Sequence, residues 1–403
     1  MRQFVWVFLI VILGGLVYLG SLKPYREHLL YDVSVYYQRS LYFFENGQLT
    51  NVPNEYLPVA WTYFIAYSPT FFYSNSLEIF EKVFAIGNCV LLIVLGWLIY
   101  KHQGSLSLLL FAGLLICVGP IVLYRFEILV ILTTTLALLR FQKHDFNGSA
   151  MMLGVGTMTK LYPVLLLPYF MILAFKQKGI YNSLKYLGTF LATIIVVTLF
   201  YFFITQTSFS ELSFSLDFHK DKPVGLESPI AALHHLVNYF NTGIGAPIVA
   251  RHNTWGVDDA YLLLPMPILT YLWIIPVGLM YLWLVLSKTK QAHFLFVITF
   301  LSSFFIFSKL FTPQYWLWVL FLLPFLPIRF KKYWALVVAA ALAAAITQFI
   351  YPLHYFDFLG YFYSQNTNFE YLFWIYQIEI SGIILTALLA IALYLKEGVS
   401  SKR

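Results

Sequence analysis

Apolar runs of about 17–25 residues recur along nearly the whole chain, each long enough to cross a hydrocarbon core about 30 Å thick. Inside such a core every backbone N–H and C=O must be satisfied internally, so runs of this kind fold as helices packed side by side. Composition agrees with that constraint. Of 403 residues, 60% are apolar and only 11% charged, against about a quarter charged in soluble domains. No polar stretch is long enough for a separate soluble domain, so residues 1–403 read as one all-α, polytopic membrane domain.

The net charge of +7 does not imply a nucleic-acid partner, because the cations cluster between the runs. They are Arg2; Lys101; Arg140 and Lys143; Lys176, Lys178 and Lys185; Lys288 and Lys290; Arg329, Lys331 and Lys332; and Lys396, Lys402 and Arg403. Lys and Arg concentrate in cytoplasmic loops, and this placement orients the chain with both termini in the cytoplasm, in a cell (plasma or inner) membrane. About twelve spans follow: 4–20, 79–100, 104–123, 126–140, 147–159, 162–175, 184–205, 261–287, 292–308, 314–328, 333–350 and 373–395. The first lacks a small-residue cleavage site and reads as an uncleaved span. Cys89 and Cys117 lie inside apolar runs, which gives neither a disulfide framework nor a metal spacing. Alternation leaves 21–78, 206–260, 351–372 and a short turn at 309–313 outside. Of the eighteen acidic residues, all but Asp145 and Glu397 fall on or near that outer side. Acidic residues do not set topology, so their bias independently puts the polar work outside.

Three hairpins, 104–140, 147–175 and 292–328, each carry a lone cation near the tip: Arg125, Lys160 and Lys309. The arm 147–159 rises only about 20 Å, too short for the full core. The tips are therefore expected below the outer headgroups, where a cation is costly and marks a functional site. Three such tips predict a positive pocket suited to a lipid phosphate.

In segment 21–78 the apolar residues between Leu29 and Phe44 fall near helical spacing, which predicts an amphipathic surface helix. Asp32 sits there among Tyr31, Tyr36 and Tyr37, and desolvation would make it a proton acceptor. Tyr-rich surroundings also suit carbohydrate, which offers apolar faces and many hydroxyls. Segment 206–260 holds Asp217, His219, Lys220, Asp221 and Lys222, then Glu227-Ser228-Pro229, read as a phosphate- and sugar-binding loop. Asp258-Asp259 is a weaker candidate for a divalent ion, and His354 and Asp357 are weaker still. No zinc spacing, phosphate-binding glycine loop or Ser-His-Asp arrangement is present.

At these positions the chain resembles glycosyltransferase family 87, polyprenyl-phosphate-dependent mannosyltransferases of the GT-C superfamily. The resemblance runs in order: Tyr31-Asp32 with Tyr36-Tyr37; Gly47 with Tyr56-Leu57-Pro58; Arg125-Phe126-Glu127; Lys160-Leu161-Tyr162-Pro163; His219 with Lys222 and Glu227-Ser228; and Lys309 through Thr312-Pro313-Gln314-Tyr315. Glu127 replaces an Asp of the family pattern, Lys222 an Arg and Thr312 a Ser. The Arg-to-Lys change loses bidentate phosphate geometry.

The resemblance implies an inverting sugar transfer from a polyprenyl-phosphate donor to a glycan or glycolipid acceptor at the outer face, with mannose or another hexose as the sugar. It makes Asp32 the catalytic base. Arg125, Lys160, His219, Lys222 and Lys309 would bind the donor phosphate, and Tyr36, Tyr37, Tyr56, Glu127, Glu227, Gln314 and Tyr315 the sugar or acceptor. A lipid-phosphate leaving group needs no metal, so no cofactor is expected. The alternative is a transporter or flippase for a lipid-linked or small polar substrate, which often shows two related halves; no such repeat is evident. A non-catalytic assembly partner with the same fold is the third reading.

Overall fold

Val-, Leu- and Ile-rich residues form α1 (Arg2–Ser21), and the chain turns at Leu22 directly into α2 (Lys23–Asn46). The computed structural model describes residues 2–50, 52, 55–288 and 293–400; the side chains of 2, 215–217, 219, 220 and 398–400 lie outside that description. Pro24 suits the first turn of α2, where a missing N–H is no loss, and Gly47 ends it in the left-handed region at φ 67°. Leu29, Val33, Tyr36 and Ser40 make its buried stripe at helical spacing. The amphipathic helix expected from Leu29 is present and begins six residues earlier.

After α3 (Pro58–Ile65) come α4 (Leu77–Gln103), α5 (Ser105–Val118), α6 (Glu127–Gln142), α7 (Phe146–Thr159), α8 (Leu167–Lys178) and α9 (Ile180–Thr205). The antiparallel helices α6 and α7 pack closely on each other, and α7 packs in turn on α9. A Cβ at Gly156 would lie 2.8 Å from Thr133 Oγ1, and one at Gly154 2.9 Å from Thr193 Cβ, so only glycine permits this approach.

Segment 206–260 departs from the all-α expectation. It holds α10 (Phe209–Lys220), β1 (Val224–Gly225), α11 (Pro229–Thr242), β2 (Ile248–Arg251) and β3 (Thr254–Val257). The strands form one antiparallel sheet in the order β1-β3-β2, with Ile248 opposite Val257 and Arg251 opposite Thr254. His252 and Asn253 join β2 to β3 at φ 48° and 54°, the geometry of a tight two-residue hairpin turn.

The chain continues through α12 (Met266–Tyr271), α13 (Ile274–Leu286), α14 (Phe294–Phe307), α15 (Trp316–Leu320), α16 (Trp334–Gln348), α17 (Tyr355–Ser364) and α18 (Glu370–Ser400). Pro313, Pro324 and Pro327 keep 313–327 from forming one continuous helix, since proline lacks a donor and clashes with the preceding turn. Trp316 through Phe325 are buried in protein, where broken backbone is tolerated at membrane depth.

Among the described residues seven helices are long and apolar enough to cross a bilayer: Gln3–Ser21, Leu77–Gln103, Ser105–Leu123, Ile180–Thr205, Met266–Leu286, Lys331–Leu353 and Thr367–Glu397. The protein is thus a multi-pass membrane protein, predominantly α-helical. Each of the other five expected runs also holds helix, but α6, α7, α8, α14 and α15 have only 16, 14, 12, 14 and 5 residues. At 1.5 Å per residue even α6 rises only about 24 Å. These short helices are largely interior, whereas α9 turns Ile195, Val196, Leu199, Phe200 and Phe203 outward as a lipid-facing surface.

Candidate functional site: a buried ion-pair cluster at one end of the bundle

Glu127 is the first residue of α6, and Lys160 follows the last residue of the antiparallel α7, so the two meet at one end of the hairpin. A carboxylate at a helix N-terminus and a cation at a C-terminus each complement the helix dipole. Lys160 Nζ donates to Glu127 Oε1 at 2.5 Å, and Glu127 is 1% exposed. The ammonium also stands over the rings of Tyr315 at 4.4 Å, Trp318 at 5.0 Å and Phe126 at 5.3 Å. Such a box holds a desolvated cation through the ring quadrupoles. Glu127 Oε2 has no hydrogen-bond partner among the described residues.

Two residues before Glu127, the buried Arg125 forms an ion pair with Asp32 of α2. Its Nη2 donates to Tyr351 Oη at 2.7 Å. Tyr351 reaches that position because Pro352 interrupts the end of the α16 segment and Tyr351 leaves helical geometry, at φ −117° and ψ 117°. Tyr351 packs edge-on against Tyr355, whose hydroxyl donates to Glu227 Oε1 at 2.6 Å. Burial pushes the Glu227 carboxyl above its usual range, and the hydrogen bond from Tyr355 opposes that shift. Tyr36 lies one turn beyond Asp32, stacked on Phe64 at 4.1 Å and edge-on to Tyr56 and Phe126.

The third tip joins the cluster through backbone. Lys309 Nζ donates to the Lys222 carbonyl at 3.0 Å, and Gly225 N–H donates to the Lys309 carbonyl at 2.8 Å. These bonds tie the β1 loop to the hairpin between α14 and α15. The Lys222 amine is pulled down to about 8, by burial first and then by the charge of Lys160, with Glu55 opposing. Glu55 lies 3.6 Å from Arg39, which shares the Asp32 face of α2 two turns on.

Most of the expected site residues therefore converge: Asp32, Arg125, Glu127, Lys160, Lys222 and Lys309, with Tyr36, Tyr56, Glu227 and Tyr315 around them. Gln314 is partly buried beside Tyr315. Tyr37 points elsewhere, edge-on to Phe71 and Phe80, with its hydroxyl donating to the Asn75 carbonyl at 2.8 Å. The His219 side chain lies outside the described residues. Asp258 caps the Ala260 N–H, and Asp259 pairs with Arg251 at 2.8 Å.

Two expectations are corrected. The surroundings of Asp32 are not simply desolvating, because its carboxylate, 24% exposed, is matched to a guanidinium. The cations of the first two tips are also not bare, because Arg125 and Lys160 each face a carboxylate. Arg39, Glu55, Trp318, Tyr351 and Tyr355 escaped the sequence analysis. Of these, Arg39 carried a usable signal, its seven-residue spacing from Asp32.

Among the described residues no three His, Cys, Asp or Glu side chains gather closely enough to hold a metal ion. At the opposite end of the bundle the charged groups are exposed: Arg140 pairs with Asp145 at 2.7 Å and Lys332 with Glu397 at 2.7 Å.

No protein-family model matches the chain, and no curated protein matches it. The likeness to glycosyltransferase family 87 rests on the sequence motifs alone.

Proposed function

We propose that the protein is an inverting, membrane-embedded glycosyltransferase that moves a hexose from a polyprenyl-phosphate donor to a glycan or glycolipid acceptor at the outer face. The observation that carries this reading is the meeting of Asp32, Arg125, Glu127, Lys160, Lys222 and Lys309 at one end of an apolar bundle. Buried ionisable groups within a membrane domain are costly and mark function. Here they combine a carboxylate able to take a proton with cations able to take a phosphate.

In this mechanism the donor phosphate binds Arg125 and the lysines. Its charge competes with Asp32 for the guanidinium and releases the carboxylate. The acceptor hydroxyl then attacks the anomeric carbon and gives its proton to Asp32. The bond from that carbon to the phosphate oxygen breaks, its electron pair leaves with the lipid phosphate, and the anomeric centre inverts. The cations stabilise the charge that develops on the leaving phosphate. Glu127 and the tyrosines around Tyr36 offer acceptors and rings to the sugar.

The test is sugar transfer from radiolabelled polyprenyl-phosphate hexose in membranes, comparing the wild type with Asp32→Asn. Undiminished transfer by a correctly folded variant would sink the role given to Asp32. Movement of labelled lipid across vesicles without a new glycosidic bond would favour the transporter reading instead.

A further inference from the structure

A second charged locus lies at the far end of the bundle, where α4 and α6 finish. There a recess of about 320 Å³ opens between the two helices. Leu98, Leu136 and Leu139 form its apolar wall, and Lys101, His102, Arg140 and Lys143 its rim. We propose that this recess binds the phosphate of an anionic lipid, with the leucines against the glycerol and the first acyl methylenes.

The charge balance supports an anion. Among the described residues Asp145 is the one carboxylate lining the recess, and it is already engaged, accepting from Arg140 at 2.7 Å and from the Gly148 N–H at 2.9 Å. Lys101 and Lys143 remain as excess positive charge. The helix dipoles do not offset that excess. The C-termini of α4 and α6 end here, but the N-termini of α5 and α7 begin within a few residues of them.

The level in the membrane supports a lipid. Lys101 Nζ stands 4.8 Å over the ring of Trp97, which is 48% exposed. An exposed Trp one turn below a Lys marks the boundary between hydrocarbon and headgroups. The recess is therefore at phosphate depth, with apolar residues on the side of the bilayer core. Basic pockets between transmembrane helices recognise lipid headgroups in this way.

The experiment places the full chain in nanodiscs of mixed phosphatidylglycerol and phosphatidylcholine and measures the lipid retained after extraction by native mass spectrometry. Wild type should retain phosphatidylglycerol in preference to phosphatidylcholine. The double variant Lys101→Gln/Lys143→Gln should lose roughly twenty-fivefold in that preference, about fivefold for each lysine. Arg140 is left in place because it holds Asp145, the cap of α7. The charge-keeping variant Lys101→Arg/Lys143→Arg should retain the preference, and higher salt should weaken it in the wild type. If the glutamine variant proves unstable, the arginine variant and the salt series carry the test alone. Equal retention of both lipids by the wild type, or a preference untouched by salt and by both substitutions, overturns the proposal. So does displacement of the lipid by inorganic phosphate that binds as tightly alone, which would define an ion site.

Discussion

The two ends of the bundle are both rich in charge, but they carry it differently. At one end Arg125, Glu127 and Lys309 are buried, and Asp32 and Glu127 each lie against a cation among aromatic rings. At the other, Lys332 and Glu397 pair with 43% and 35% of their side chains exposed. An exposed pair gains little, because water and salt screen it. A buried pair must recover a large desolvation penalty, so its net contribution to stability is small while the loss of one partner is costly. Residue type alone does not separate these cases. Depth does.

The comparison breaks most visibly in catalysis. Asp32→Asn is expected to lower sugar transfer about a hundred- to ten-thousand-fold, the range for loss of a general base. Lys332→Gln should leave the rate unchanged in the same radiolabel assay. Because Asp32→Asn also leaves Arg125 without its carboxylate, thermal unfolding of the same purified variant checks that loss of rate is not loss of fold.

Stability should divide along the same line. Lys160→Met strands Glu127 at 1% exposure and is expected to destabilise by about 3–5 kcal/mol. Adding Glu127→Leu should restore most of that in thermal unfolding of the purified protein.

Lys222 offers a sharper probe through pH. Its folded-state value of about 8 lies below the ordinary 10.5, so between those values the unfolded chain binds more protons. Stability should therefore rise as pH climbs through that window, and Lys222→Gln should flatten the rise. Donor binding should move the opposite way in the wild type, weakening above pH 8 as the amine loses its charge. Lys222→Arg should hold affinity to higher pH. The smallest effect belongs to the exposed end, where Lys332→Gln should cost no more than about 1 kcal/mol.

Much of the site was legible because cations in apolar hairpins are conspicuous. Arg125, Lys160 and Lys309 stood out for that reason, and Glu127 by adjacency to Arg125. Their pairing was not legible. Asp32 meets Arg125 from a distant part of the chain, and only the packing of α2 brings them together. Trp318, Tyr351 and Tyr355 were hidden by abundance, since aromatic residues make up 20% of the sequence. The helices followed from hydropathy and spacing. The sheet did not, because β2 and β3 have four residues each and turn at His252-Asn253 rather than at a glycine. The short interior helices show where length and hydropathy part company: α6 and α7 are apolar for lack of solvent, whatever their reach.

The order of synthesis gives the two central pairs a further consequence. Asp32 leaves the ribosome before Arg125, and Glu127 before Lys160. Each cation thus enters the bilayer with its neutralising partner already made. For Glu127 and Lys160 that partner lies on the same helical hairpin. The Glu127–Lys160 couple can enter the bilayer already neutralised, so the arrangement that defines the site also eases the biogenesis of the protein.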